Sequence, residues 1–369
     1  MLGLLQGVFS KLPKLESKSL KYGYSNARIR GMKSGLLNAS ALNELIKAGS
    51  VDAMVELLQR TSYKTELSQV SLEFEGSRLI EVAASHNFAK VVARIVKIAP
   101  KSDKPIIRAL LLKWDLMNLK ILMHARELAQ EYEDVKLSLF HVGGMDESDF
   151  RKILRADDKE LIREVKHTSL GSVLFSQSEK KDDVSDIFSD ALQSTKSFFK
   201  HEEQVDVCTY LLVERYLLAA GGKETERIRD ILRREVDARN FLIIQRLKKK
   251  GADKKQILGK LVRGGDIYKD QVEKIIDAKD LPAAIAVVRS RFPGLVIKDD
   301  LSLTALEIEL EKSLATQKDQ MFDRAVLSVG VLVGFLLIKE EEISNLRKIA
   351  KAKEFGIPEN EVRDMLVSV

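Results

Sequence analysis

The stretch Ile338 to Met365, IKEEEISNLRKIAKAKEFGIPENEVRDM, decides how this chain is read, because its centre recurs twice upstream. Glu342-x-x-Asn345-Leu346 has counterparts in Asp115-x-x-Asn118-Leu119 and Asp237-x-x-Asn240-Phe241, each an acid, two variable residues, an asparagine and a large apolar residue. Positions three and four apart share one side of a helix, so each acid lies beside its Asn and its apolar neighbour. The same helical wheel places Leu111, Leu119 and Leu122 with Asp115, and Phe335, Leu346 and Ile349 with Glu342. The acids are therefore expected to point into packing.

A carboxylate on an apolar face is costly to desolvate unless it is paired or hydrogen-bonded, and three in matching contexts suggest a reused building block. Two readings follow. In one, acid and Asn tie a neighbouring helix terminus or loop inside each repeat. In the other, three related patches face a shared partner.

A second marker repeats with the first. Leu42, Leu45 and Ile46 have the spacing of an amphipathic helix, and the spacing returns at Phe150, Ile153, Leu154 and at Val272, Ile275, Ile276. Each set is followed by an alanine (Ala48, Ala156, Ala278), a polar cap candidate (Ser50, Asp158, Asp280) and a second short amphipathic helix. The alanines are 108 and 122 residues apart, and the motif asparagines 122 and 105. Two independent markers thus give one three-fold period, too long for solenoid units of roughly 20 to 50 residues.

The predicted fold is all-α: three sequential helical domains with an internal pseudo-three-fold repeat, at 1–141, 142–263 and 264–369. Each contains a pair of short helices, a long apolar helix and the acid-Asn helix. The long apolar elements are Leu79 to Ile98, Val205 to Ala220 and Leu301 to Ile338; the glycine pairs Gly143-Gly144 and Gly264-Gly265 mark the breaks. The Ser- and Asp-rich segment His167 to His201 is expected to include a flexible excursion. Three such bodies can close around an axis and leave a central opening.

Composition agrees with helices: 369 residues with six Pro and 6% aromatics, amid many Leu, Ala, Lys and Glu. The 45% hydrophobic and 31% charged content is that of an ordinary globular chain. A net charge of +6 suits acidic protein partners or a lipid headgroup surface and is weak support for nucleic acid. The single cysteine, Cys208, excludes an intramolecular disulfide and a cysteine-rich zinc site. No signal peptide is read at the N-terminus. The longest apolar run, Ala325 to Ile338, has 14 residues, against about 20 for a membrane-spanning helix. It reads as a buried core helix.

Chemistry is sparse. There is no phosphate-binding Gly-x-x-x-x-Gly-Lys-Ser/Thr loop, no His-Glu-x-x-His element and no Gly-x-Ser-x-Gly elbow. The five histidines lack ligand spacing, so no metal and no cofactor are expected. The run Lys248-Lys249-Lys250 and the arginines of TERIRDILRREVDARN lack interleaved aromatics, and the arginines are interspersed with Glu226, Asp230, Glu235 and Asp237, which suggests a solvated helix rather than a phosphate-binding stripe. Arg28, Arg30 and Lys33 form a small basic cluster, either a solvated helix face or a contact for acidic groups on a partner.

Together, the opening Tyr22-x-Tyr24-x-x-Ala27-Arg28-x-Arg30, the three acid-Asn-apolar motifs and the ending KEEEISNLRKIAKAKEFGIP resemble the C subunit of the archaeal A-type and bacterial V/A-type ATPases, the equivalent of the d subunit of eukaryotic vacuolar ATPases. The resemblance runs from about Tyr22 to Met365. It implies a funnel of three helical domains, peripheral on the cytoplasmic face of the membrane, whose partners are the central rotor stalk subunits and the membrane proteolipid ring. It further implies a non-catalytic subunit that transmits torque between them, without a small-molecule substrate. The resemblance leaves open H⁺ or Na⁺ coupling and the direction of ATP turnover. A two-helix shaft is about 20 Å across, a width such a ring could admit. The competing expectation is a free-standing α-helical scaffold or adaptor for an acidic partner.

Overall fold

The computed structural model describes residues 14–175, 183–295 and 302–366. The N-terminal leader, the centre of the Ser-rich segment at 176–182 and the start of the third apolar stretch lie outside them. Every regular element among the described residues is helical and none is a strand. The fold is all-α.

A helix α1 (Lys14–Lys33) leads into a short pair, α2 (Ala39–Lys47) and α3 (Val51–Leu58), then α4 (Lys64–Val70). Two long helices follow, α5 (Gly76–Ile98) and α6 (Lys104–Glu127), with the short α7 (Tyr132–Val135) after them. The next set is α8 (Glu147–Arg155), α9 (Leu161–His167), α10 (Ser169–Leu174), α11 (Asp183–Ala191), the long α12 (Thr195–Ala220) and α13 (Lys223–Lys249), and the short α14 (Lys254–Leu258). The last is α15 (Lys269–Asp277), α16 (Leu281–Val288), the long α17 (Leu303–Arg324) and α18 (Val329–Glu354), and the short α19 (Glu359–Met365).

The short helices form where the apolar spacing placed them. Leu42, Leu45 and Ile46 of α2, Phe150 and Ile153 of α8, and Val272, Ile275 and Ile276 of α15 are buried. Each of these helices stops at its alanine, where the chain turns extended with ψ between 131° and 140°. Ser50 and Asp280 then cap α3 and α16, accepting the N–H of Ala53 and Ala283. Asp158 does not cap α9. The neighbouring Asp157 accepts the N–H of Glu160 at 2.8 Å, while Asp158 accepts from Arg126 at 3.1 Å. The capping acid here stands one residue after the alanine rather than two, and Arg126 beside Asp158 claims that carboxylate instead.

The third apolar stretch is two helices, not one. Between α17 and α18 the chain breaks at Ala325 to Ser328, with Leu327 at φ 47° and the Ser328 hydroxyl accepting from Gly330 N at 3.2 Å. Hydropathy carries no signal for that turn; the cap does. From Val329 onward the expected core helix is present. Val331, Leu332, Val333 and Phe335 are at most 1% exposed on all sides of α18, as expected of a helix surrounded by others.

The long helices pair across the sets. α6 packs along α12, α13 along α17, and α18 along α5. The last pairing brings the two ends of the chain together. Buried apolar residues form two clusters. The larger runs from α1 through α13 and includes α18 and α19; the smaller joins the second half of α13 to α14, α15, α16 and the first half of α17. The smaller core thus draws on both sides of the 263/264 boundary.

Candidate functional site

Three buried carboxylates hold the backbone that leads into the three short-helix pairs. Asp115, in the middle of α6, accepts the N–H of Gly144 at 2.8 Å and of Met145 at 3.1 Å. Asp237, in α13, accepts the N–H of Ile267 at 3.0 Å. Glu342, in α18, accepts the N–H of Leu37 at 2.5 Å. Met145, Ile267 and Leu37 each stand two residues before the first residue of α8, α15 and α2. Asp115 and Asp237 reach forward 30 residues, whereas Glu342 reaches back 305 to the start of the chain.

The asparagines one turn later do equivalent work. Asn118 donates to the Phe140 carbonyl at 2.7 Å and accepts the Phe140 N–H at 2.8 Å. Asn240 does the same with Val262, at 2.8 and 2.7 Å, and both partners lie 22 residues on. An amide side chain carries a donor group beside an acceptor group, so it can satisfy both the N–H and the C=O of one backbone residue away from water. Asn345 is buried at 2% exposure, and the same offset from it leads to Val367, outside the described residues.

The paired glycines now have a cause. A Cβ on Gly143 would lie 1.9 Å from Asp115 Oδ1, and one on Gly265 2.1 Å from Asp237 Oδ1. The carboxylate comes against the backbone there and leaves no room for a side chain. Gly35 occupies the corresponding place before Leu37, where the longer Glu342 approaches differently and an added Cβ meets nothing closer than 3.4 Å.

The carboxylates differ in how their charge is met. Burial raises the Asp115 pKa above the ordinary carboxylate value, opposed by the N–H groups of Gly144 and Met145. Burial also raises that of Asp237, opposed by the Ile267 N–H and by Arg291, whose Nε donates at 2.8 Å. Glu342 sits in a buried triad: Lys339 Nζ donates to it at 2.6 Å, the Tyr63 hydroxyl at 2.5 Å, and Lys339 also donates to Tyr63 at 2.9 Å. Lys339 is 2% exposed, and burial lowers its pKa against the pull of Glu342. Burial and the Glu342 charge push the Tyr63 phenol well above its usual value.

A further clamp lies eight residues beyond each of the first two asparagines. Arg126 donates to the carbonyls of Ile153, Leu154 and Ala156 at the end of α8, and Lys248 to those of Ile275 and Ala278 at the end of α15. Cations there meet the unpaired carbonyls and the negative end of the helix dipole.

A family model described as ATP synthase (C/AC39) subunit matches residues 25–365, a span that contains all three acid-Asn pairs and the backbone segments held by the acids. The chain belongs to this family. Curated relatives include the A-type ATP synthase C subunit of Methanosarcina mazei, 25% identical over 377 aligned residues with 99% of each chain covered. The protein of the same name from Thermococcus onnurineus is 26% identical, covering 96% of this chain and 93% of its own. That of Methanocaldococcus jannaschii is 24% identical, with 94% and 86% covered.

In this family member two of the three residues of the α1 basic cluster, all exposed, have partners within the chain. Arg30 donates to the Ala325 carbonyl at 2.8 Å and stacks on Phe322, while Lys33 pairs with Asp323 at 3.0 Å and lies over the same ring. Arg28 is exposed, with no partner among the described residues. The opening motif also hides a clamp that sequence reasoning missed: Asn26 donates to the Ser328 carbonyl and accepts the Ser328 N–H, at 3.1 and 3.0 Å. Lys339, Tyr63 and Arg291 were missed as well. Lys339 sits three residues before Glu342, the i, i+3 spacing that could have flagged it. Among the described residues no group of His, Cys, Asp and Glu is placed to hold a metal, and no helix is long and apolar enough to cross a membrane.

Proposed function

We propose that this chain is the non-catalytic coupling subunit of a rotary A/V-type ATPase, set peripherally on the cytoplasmic face of the membrane between the central rotor stalk and the proteolipid ring. The match across residues 25–365 to the ATP synthase (C/AC39) family carries this reading. The relatives' shared name, that of the A-type ATP synthase C subunit, supports it. In this role the chain transmits torque for ion transport and ATP synthesis or hydrolysis, and its partners are the stalk subunits and the ring.

The matched offsets support a mechanical design. We read the three acid-Asn helices as copies of one ancestral module, with sequence repeats at 1–141, 142–263 and 264–369. Each copy's acid grips the lead-in of the next copy, and Glu342 closes the circle onto the first. A closed cycle of such grips resists twisting, as a part under torque must, and three units around an axis form a funnel able to receive a shaft. Arg28, Arg30 and Lys33 remain the proposed contact for acidic groups on a partner. Arg28 is foremost among them, since Arg30 and Lys33 already have partners within the chain.

The test is deletion of this subunit from the intact complex. The expected result is loss of ATP-driven ion pumping in membrane vesicles while ATP hydrolysis by the detached catalytic part persists, with the tagged chain co-purifying with ring and stalk from detergent extracts. Full coupling in its absence, or a tagged chain that never carries proteolipid, would overturn the proposal in favour of a free-standing scaffold. Arg28→Glu should weaken assembly with one partner; unchanged assembly would remove the basic cluster from the interface.

A further inference from the structure

A cleft of about 390 Å³ opens between α5, α18 and the loop after α7. Arg347 of α18 forms one wall. Its guanidinium donates one bond, from Nη2 to the Ser85 hydroxyl at 2.8 Å, and lies 5.3 Å from the centre of the Phe140 ring. No carboxylate pairs with it among the described residues, and its Nε and Nη1 have no protein acceptor there. Burial depresses its pKa, Glu81 opposes that and Arg78 reinforces it. A half-buried guanidinium with spare donors facing an open cleft is placed to take up an anion.

The neighbouring groups do not provide one. Glu81 is the cleft's one acid and is already shared by Arg78 at 3.3 Å and Lys351 at 3.2 Å. Lys348 is neutralised by Glu311 at 2.6 Å. Positive charge therefore exceeds negative inside the cleft. Ser138, whose hydroxyl accepts from Arg78 at 2.7 Å, and Ser344 line the same space, with Ile121 and Leu137 on an apolar wall.

We propose that this cleft binds a phosphate monoester, with Arg347 as its principal ligand and Arg78, Lys351, Ser138 and Ser344 completing the oxygen cradle. A guanidinium fork matches two phosphate oxygens, and the hydroxyls supply donors for a third, more than a carboxylate would use. The volume exceeds that of inorganic phosphate alone, and the apolar wall suits an attached organic group. The ester is either a soluble phosphorylated metabolite or the headgroup of a lipid such as phosphatidic acid. This site is independent of the coupling role.

The experiment uses the full-length chain in two arms. Calorimetry with inorganic phosphate and AMP tests the soluble source; flotation with phosphatidylcholine vesicles, with and without phosphatidic acid, tests the lipid source. Saturable binding in either arm is expected, weakened about 10- to 100-fold by Arg347→Gln, as the loss of charged hydrogen bonds implies. Lys47→Gln, an exposed lysine on α2 that removes the same charge, should leave it unchanged. Should Arg347→Gln fail to fold by circular dichroism, the double variant Ser138→Ala with Ser344→Ala decides, with severalfold weaker binding expected. No saturable binding in either arm, binding insensitive to these variants, or equal competition by a glutamate-rich peptide would overturn the proposal.

Discussion

The junctions at Asp115 and Glu342 hold two similarly placed pieces of backbone, each just before a short helix, by different electrostatics. Among the described residues Asp115 has no cation beside it and relies on two backbone N–H groups. Glu342 accepts one backbone N–H, and its remaining capacity is filled by a buried lysine and a tyrosine hydroxyl. What they share is the grip on the lead-in to a helix pair, so the carboxylate's common task is to satisfy backbone; the counter-charge is a local solution. The shorter acid needs a glycine against it, and the longer one needs a cation beside it.

The largest effect should come from breaking the triad. Lys339→Met would leave Glu342 buried without its cation, at a cost of about 3 to 5 kcal/mol, read as a lower midpoint in urea unfolding. A change under about 1 kcal/mol would mean that Glu342 is adequately held by Leu37 and Tyr63 alone.

Next comes the contrast between glycines. Gly143→Ala should destabilise by about 2 to 3 kcal/mol, because the new methyl overlaps Asp115 and the backbone must move away from it. Gly35→Ala should stay within about 0.5 kcal/mol, as an exposed position with room to spare. Equal thermal shifts for the two would break the comparison.

The smallest effect isolates charge from hydrogen bonding at Asp115. Asp115→Asn keeps one acceptor oxygen but turns an amide N–H₂ toward a backbone donor, at a net cost of about 1 to 2 kcal/mol. It should also change the acid side of the pH profile. The raised pKa of Asp115 means that, just above the ordinary carboxylate value, the folded chain keeps a proton the unfolded chain has lost. Its protonation therefore favours folding below that window, and the benefit is lost as pH rises through the folded pKa. Urea titrations at stepped acidic pH should show that component vanish in the variant; an identical profile would contradict the assignment.

Much of this was legible in the sequence. The i, i+3, i+4 spacing placed the short helices, and the apolar neighbours of Asp115, Asp237 and Glu342 announced that these acids are buried. The break before Ser328 was hidden because it falls within continuous apolar sequence. Asp158 looked like a cap because sequence spacing cannot see Arg126 arriving from α6. Lys339 was not singled out, since it stands beside three glutamates in the sequence and its burial depends on Tyr63, far away in the chain. The smaller core was also unreadable, because α13 contributes to two cores along its length while the repeat markers count only residues.

The pairing of α18 with α5 has a consequence for synthesis. About 230 residues separate the end of α5 from the start of α18, and at roughly 5 to 20 residues per second a ribosome takes on the order of 10 to 50 s to cross that gap. During that interval the apolar side of α5 waits for the helix that covers it. The earliest-made part of the molecule is thus among the last to reach its native packing, and nascent chains halted before Ser328 should be held by chaperones or degraded.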